Sequence, residues 1–293
     1  MKLSDRLQLA GGRHVGFVTW GDRDPAAPVI VHCHGTPGGR LLNYETPVPA
    51  SVRHVSLDRP GFGLSDPQPG RTVADHARDV EGVLDHLGID RCSAFGWSGG
   101  APHALAVGAV LGDRVARVAV LGGPAPEDDP GFDSTAGMAE INVESRRMLV
   151  EDPEADRRDC ERWVAAFMAD ADAFLAPMID ALDPVDIPLT LDPDRKALMI
   201  AQLQDAFQSG AEGWFEDDML TVTPWGFALE DVKPEVWLWH GELDRLVPVS
   251  HGRRVAERLP RCQALFLPND GHISPIGRVA EILAWLAEPL RLD

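Results

Sequence analysis

The segment Gly96-Trp97-Ser98-Gly99-Gly100 constrains the fold most, because it places a serine between small residues at a strand-to-helix junction. The preceding residues 91–96 are typical of a short buried strand, and the alanine-rich residues 101–107 predict a helix with proline in its first turn. A side chain on so tight a turn adopts a strained backbone conformation with its hydroxyl projecting, and small neighbours let the helix pass close to the sheet. The pattern predicts a nucleophile elbow at Ser98.

The rest of the chain repeats the strand, helix, strand order that a mostly parallel sheet requires. Strands are predicted at residues 7–10, 14–20, 29–34, 53–57, 91–96, 117–123, 235–240 and 264–267. Helices between and after them are predicted at residues 73–87, 101–107, 249–259 and 275–290. We therefore expect an α/β protein with a doubly wound, mostly parallel sheet.

Residues 124–232 interrupt this order, because they carry helical signals and no convincing strand. Helices are predicted at 138–150, 154–171 and 193–209, with a turn-like stretch at 183–188. We predict a core formed by residues 1–123 and 233–293, and a helical cap inserted at residues 124–232.

Charge and cysteine usage narrow the classes of function. The chain has 27 Lys and Arg against 46 Asp and Glu, a net charge of −19, which argues against a nucleic-acid partner. The four cysteines show no metal-ligand spacing, so we expect no metal and no disulfide. No long apolar run and no signal-peptide core are present, so the expectation is a cytoplasmic protein without a membrane partner, as a monomer or homodimer.

A serine hydroxyl is a weak nucleophile, so the elbow needs a base and a carboxylate that orients the base. Asp244 follows the strand predicted at 235–240, and His272 lies in the loop after the last strand. Loops beyond the carboxyl ends of parallel strands gather at one edge of the sheet, where Ser98 also lies. Asp244 is the expected acid, although it is also placed to cap a helix, and Glu242 or Asp270 are alternative carboxylates.

Acyl transfer also requires N–H donors for the oxyanion of a tetrahedral intermediate. The Thr36 N–H, in the loop after the third strand, and the Gly99 N–H, directly after the nucleophile, are the expected donors. His34 is expected to shape this loop. His32 and His34 alternate along a strand and face opposite ways, so they are not expected to share a metal ion.

These motifs together resemble the capped α/β-hydrolase-fold proteins of the esterase and proline-iminopeptidase kind. The segments that carry the resemblance occur in the family order: His34-Gly-Thr-Pro-Gly38, Asp58-Arg-Pro-Gly-Phe-Gly-Leu-Ser-Asp66, Gly96-Trp-Ser-Gly-Gly100, Gly241-Glu-Leu-Asp244 and Gly271-His272. The resemblance implies that Ser98, Asp244 and His272 form a triad and that residues 58–66 form a structural loop beside the site. Haloalkane dehalogenases and epoxide hydrolases carry aspartate at the elbow, so the serine disfavours both classes.

The first functional hypothesis is a serine hydrolase that cleaves a small, largely apolar carboxylic ester through an acyl-enzyme, without a cofactor. Aromatic residues of the cap and residues beside the triad are candidate substrate contacts, although aromatics at helical spacing usually pack a helix onto a core. The candidates are Trp97, Trp163, Phe167, Trp214 and Ile273.

Three alternatives stay open. The first is an aminopeptidase that releases N-terminal proline, in which cap carboxylates hold the substrate ammonium group. Its candidate carboxylates are Glu140, Glu144, Glu212, Glu216, Asp217 and Asp218. The second is a hydrolase that cleaves a carbon–carbon bond of a vinylogous diketone with the same triad. The third is a receptor or binding protein that keeps the cleft without turnover, since fold alone does not fix function.

Overall fold

The computed structural model describes residues 3–41, 51–127 and 131–288, and its centre is an eight-stranded sheet. The strands are β1 (Leu3–Gln8), β2 (His14–Gly21), β3 (Val29–Cys33), β4 (Arg53–Leu57), β5 (Cys92–Trp97), β6 (Val115–Leu121), β7 (Glu235–Gly241) and β8 (Cys262–Leu267). Their spatial order is β1-β2-β4-β3-β5-β6-β7-β8. The pairs of β2 with β1 and β4 are antiparallel and all later pairs are parallel, which confirms the predicted α/β sheet.

Helices cover both faces of this sheet. The helices α1 (Val73–His86), α2 (Gly100–Leu111) and α9 (Val249–Arg258) pack on one face, and α10 (Val279–Ala287) packs on the other. Alternate strand residues supply the two cores: Val29 and Val31 of β3 enter the first, and Ile30 enters the second. The sheet is therefore doubly wound.

Six α-helices lie between β6 and β7 in the described residues, in the region predicted to form the cap. They are α3 (Glu140–Glu151), α4 (Pro153–Ala169), α5 (Ala171–Ala181), α6 (Ile187–Thr190), α7 (Pro193–Ala206) and α8 (Glu212–Met219). Asp152 and Asp192 cap α4 and α7 through their side chains, and each helix begins with proline. Phe167, Phe174 and Phe207 give this insertion an aromatic core of its own.

Several sequence predictions differ from the structure in detail. The first strand is Leu3–Gln8 and not 7–10, because Leu9 and Gly12 form the hairpin turn, with Gly12 N–H donating to the Leu9 carbonyl at 2.8 Å. Residues 128–130 of the predicted linker and 289–290 of the last predicted helix lie outside the described residues. None of the helices in the described ranges is long and apolar enough to cross a membrane.

Candidate active site

Ser98 occupies the sharp turn between β5 and α2. Its φ is +55°, the one positive value at a non-glycine residue in the described part of the chain. A Cβ at Gly100 would lie 2.6 Å from the His34 carbonyl oxygen, so only glycine lets α2 start this close to β3. The Ser98 N–H donates to the Leu121 carbonyl at 2.8 Å, and its own carbonyl accepts from Ala101 at 2.9 Å. These bonds fix the serine, which lines a cavity of about 450 Å³.

Asp244 and His272 form a buried pair at the same edge of the sheet. His272 Nδ1 donates to Asp244 Oδ2 at 2.7 Å, because a carboxylate only accepts, and this leaves Nε2 as the free acceptor of the neutral ring. Asp244 Oδ1 accepts from the N–H groups of Leu246 and Val247, both at 2.9 Å. These bonds hold the carboxylate, and the carboxylate sets the tautomer of the histidine.

The pKa values of the pair are displaced toward the ionised forms. Burial alone would raise the pKa of Asp244, but the charge of His272 and hydrogen bonds from His240 and His272 hold it below its ordinary value. Burial opposes a charged imidazole, yet the Asp244 carboxylate, together with the charge of Asp186, raises the pKa of His272 above its ordinary value. The arrangement favours an imidazole that accepts a proton.

The turn after β6 links this pair to the elbow. A Cβ on Gly122 would lie 3.5 Å from His272 Nδ1 and 3.4 Å from Asp244 Oδ2. A Cβ on the next residue, Gly123, would lie 3.4 Å from the Ser98 carbonyl oxygen. The structure thus brings the three predicted triad residues to one place, although they are far apart in sequence.

Thr36 and Gly99 lie against each other beside Ser98. A Cβ on Gly99 would lie 3.1 Å from the Thr36 nitrogen, so the two main-chain segments are adjacent. Within the described residues neither N–H donates a hydrogen bond. His34 shapes this loop, as expected: its Nδ1 donates to the Gly35 carbonyl at 2.8 Å and its Nε2 accepts from Arg59 N–H at 3.2 Å. Two amide donors are therefore available next to the serine hydroxyl.

A cap residue, Asp217 of α8, also holds this loop in place. Its carboxylate accepts from Thr36 Oγ1 at 2.7 Å, from Arg59 and from Arg71, and the arginine and aspartate side chains are all buried. Burial would raise the pKa of Asp217, but the two guanidinium groups hold it well below its ordinary value. The sequence interpretation placed Asp217 among possible ammonium ligands. The structure shows instead that Arg59 and Arg71 neutralise it.

The structure separates the five predicted substrate contacts into two groups. Trp163, Trp214 and Ile273 line the cavity. Trp97 and Phe167 are not among the lining residues, so the structure gives these two predicted contacts no support. Trp97 is the last residue of β5 and packs on the face covered by α10, while Phe167 is 1% exposed inside the aromatic core of the cap.

Three neighbouring side chains at the cavity have the donor types of a metal site. Ligand atoms of Asp156, Cys160 and Asp218 lie within 4.8 Å of one another. Burial and the two carboxylates raise the pKa of Cys160, so its sulfur carries a proton and is placed 3.8 Å from Asp156 and 3.7 Å from Asp218. Without a ligand, the cluster is a buried thiol within hydrogen-bond distance of two carboxylic side chains.

The fold and this constellation define an α/β hydrolase. The model of the alpha/beta hydrolase fold family matches residues 28–278, and the chain belongs to that family. The resemblance drawn from the sequence motifs is confirmed.

Individual relatives are distant. The chain is 25% identical, over 86% of its length and 82% of the relative's, to a 2-hydroxy-6-oxononadienedioate/2-hydroxy-6-oxononatrienedioate hydrolase of Cupriavidus pinatubonensis. Its fold is similar to the enol-lactonase of Burkholderia xenovorans, with TM-score 0.66, 20% identity and coverage of 96% and 97% of the two chains. A thermophilic esterase of Thermogutta terrifontis gives TM-score 0.65 at 19% identity, covering 97% of this chain and 96% of the other.

Proposed function

We propose that this protein is a serine hydrolase that cleaves a small, largely apolar carboxylic ester. The observation that carries the proposal is the buried 2.7 Å bond between His272 Nδ1 and Asp244 Oδ2. The turn after β6 approaches both this pair and the strained Ser98, which lines a cavity. Nucleophilic acyl transfer needs a base with a fixed tautomer and a serine held in a projecting turn, and this edge of the sheet supplies both.

The reaction proceeds in two halves. His272 Nε2 takes the proton of the Ser98 hydroxyl as Oγ attacks the carbonyl carbon, and the N–H groups of Thr36 and Gly99 hold the oxyanion. The carbon–oxygen ester bond then breaks, the alcohol leaves with the proton from His272, and an acyl-enzyme remains on Ser98. Water attacks this ester, gives a proton to His272, and the acid departs as Ser98 recovers its proton.

The charge of the cavity supports an uncharged substrate. Its lining includes five carboxylic residues, namely Glu144, Asp156, Asp159, Asp217 and Asp218. Arg146 is the one arginine or lysine among the described lining residues, and Glu127 pairs with it at 2.5 Å. Glu144, Asp159 and Asp217 pair with arginines outside this lining, and Glu127 occupies Arg146. The described lining therefore offers no unpaired arginine or lysine to an anionic acyl group, so a neutral ester fits better.

A second candidate is hydrolysis of a carbon–carbon bond. It is favoured by the curated relatives that match most of the chain, such as a 2-hydroxy-6-oxo-6-phenylhexa-2,4-dienoate hydrolase of Burkholderia cepacia, 24% identical over 84% of the chain. The names of these relatives describe anionic substrates, and the described lining of this cavity has no unpaired arginine or lysine to hold an anion, so it supports them less well than a neutral ester.

An aminopeptidase has less support. Most of the carboxylates considered for an ammonium group have partners inside the protein: Glu144 with Arg147, Glu212 with Arg157, Glu216 with the Gly70 N–H, and Asp217 with Arg59 and Arg71. Such partners reduce the charge left for a ligand.

The test compares the wild type, Ser98→Ala and a control variant, Ser93→Ala, which removes a serine at the start of the same strand. Each is given p-nitrophenyl acetate, p-nitrophenyl butyrate, proline p-nitroanilide and a 2-hydroxy-6-oxo-dienoate, and release or loss of absorbance is followed. Ester turnover that needs Ser98 and tolerates Ser93→Ala is the expected result. Faster turnover of the dienoate than of either ester would replace the proposal with carbon–carbon hydrolysis, and anilide cleavage would replace it with a peptidase.

A further inference from the structure

Asp186, a residue of the cap, lies directly behind the His272 main chain. Its Oδ2 accepts from the His272 N–H at 2.6 Å and its Oδ1 from the Ser274 N–H at 2.7 Å. The residue is fully buried. In the sequence it belongs to the turn-like stretch 183–188, and no local pattern distinguishes it there. Both oxygens of one cap carboxylate are therefore used to hold the loop that carries the histidine.

The position of Asp186 is set by its own turn. Its N–H donates to the Asp183 carbonyl at 2.9 Å, and its carbonyl accepts from Leu189 and Thr190, both at 3.1 Å. Gly271 makes room for the carboxylate, because a Cβ there would lie 2.8 Å from Asp186 Cγ and 2.9 Å from Oδ1. The glycine before the histidine thus serves a close approach between the core and the cap.

The charge of Asp186 acts on the imidazole. The bonds to its carboxylate come from main-chain N–H groups, and no ion pair reaches it among the residues that the structure describes. Among the described residues, the contacts also place these charged or titratable groups near His272: Asp244 at Nδ1, His240 at 3.5 Å from Asp244 Oδ2, and Asp270, which Arg278 pairs at 3.7 Å. Asp186 is thus a second carboxylate beside His272, on the cap side of its loop.

We propose that Asp186 is a positioning residue for His272: it fixes the histidine loop to the cap and supplies a second negative charge that stabilises the imidazolium formed when Ser98 loses its proton. The inference rests on the proposed function, since it assigns a role in the reaction of Ser98 with His272. The cap is then part of the catalytic machinery on its histidine side and not only a cover for the cavity.

The proposal is tested with Asp186→Asn, which removes the charge and replaces one acceptor oxygen with an NH₂ group that faces a main-chain N–H. The matched control is Asp192→Asn, a cap carboxylate that also accepts two main-chain N–H bonds, both at 3.1 Å, but is exposed and bonds within α7. The His272 ring is titrated by NMR, with its signal assigned by loss in His272→Gln. The rate of Ser98 labelling by a fluorophosphonate is measured against pH in the same variants.

Asp186→Asn is expected to lower the pKa of His272. The rate of Ser98 labelling falls at low pH as His272 becomes protonated, and this fall is expected to occur at a lower pH in the variant. At the optimal pH, labelling is expected to be slower by about tenfold or more. Asp192→Asn is expected to change none of these. An unchanged pKa of His272 in folded Asp186→Asn would overturn the proposal. Slower labelling with an unchanged pH dependence would also overturn it, because a purely structural role would give that result.

Two further controls keep the test decisive. If Asp186→Asn does not fold, Gly271→Ala is used, because its methyl group pushes the Asp186 carboxylate away without removing it. The pKa of His272 is expected to fall in this variant as well. An unchanged pKa of His272 in Gly271→Ala would also overturn the proposal. The NMR titration needs no substrate. A protein that cleaves no ester but shows the shifted titration would refute the proposed function and still support the coupling of Asp186 to His272.

Discussion

Thr36 Oγ1 donates a 2.7 Å hydrogen bond to Asp217 Oδ2, so a cap carboxylate holds the loop that presents an N–H beside Ser98. The same carboxylate lies between the guanidinium groups of Arg59 and Arg71. Removing one partner of a buried ionic network leaves the others uncompensated, whereas a surface pair contributes little. This cluster therefore links the stability of the fold to the geometry of the site.

Asp217→Asn is expected to lower the free energy of unfolding by about 3 kcal/mol, measured by urea denaturation at pH 7. The control is Glu212→Gln, which breaks the partly exposed pair of the same helix with Arg157 and is expected to cost less than about 1 kcal/mol. Because the pKa of Asp217 is depressed in the folded state, its contribution is present above its ordinary pKa of 3.8 and is lost as pH falls below it. Equal losses in the two variants would contradict the network.

The pH dependence of ester hydrolysis is expected to reflect His272. The base must be neutral in the free enzyme, and the pKa of His272 is raised from its ordinary 6.5 by Asp244, so kcat/KM should fall as pH drops through a value above 6.5. Asp244→Asn should move this limb to lower pH and reduce kcat by about 10⁴-fold, because the histidine loses both its charge partner and its fixed tautomer. A limb that stays in place in Asp244→Asn would argue for another carboxylate.

The backbone at Ser98 predicts an unusual order of stability. At φ +55° a side chain costs of order 1 kcal/mol that glycine avoids, so Ser98→Gly should be more stable than Ser98→Ala by about 1 kcal/mol. On the helix α3, Ser145→Gly should instead be less stable than Ser145→Ala by a similar amount. Thermal and urea unfolding of the four variants measure both differences, and the same order at both sites would contradict the strain at the elbow.

The sheet and the loops that carry Ser98, Asp244 and His272 can be predicted from the sequence, because polar residues in glycine-containing loops after buried strands are local signals. Asp186 and Asp217 carry no such signal. Their partners lie 86 and 158 residues away, in His272 and Arg59, and their roles exist only once the cap is folded onto the core. Hydrophobic periodicity also cannot distinguish Phe167 from Trp163. It predicts that each residue lies on an apolar helix face, but it does not show which neighbours cover the side chain.

Those two cap residues allow substrate selection to be separated from stability. Trp163 lines the cavity and packs edge-on against Phe174 with ring centroids 5.5 Å apart, whereas Phe167 is enclosed by Phe174 and Phe207. Trp163→Ala should enlarge the cavity and raise kcat/KM for p-nitrophenyl octanoate relative to the acetate, by about tenfold for a gain of about two buried methylenes. Phe167→Ala should leave that ratio unchanged and lower the free energy of unfolding by about 3–5 kcal/mol. Kinetics with both esters and urea denaturation of both variants test this assignment, and an altered chain-length ratio in Phe167→Ala would place that ring at the substrate after all.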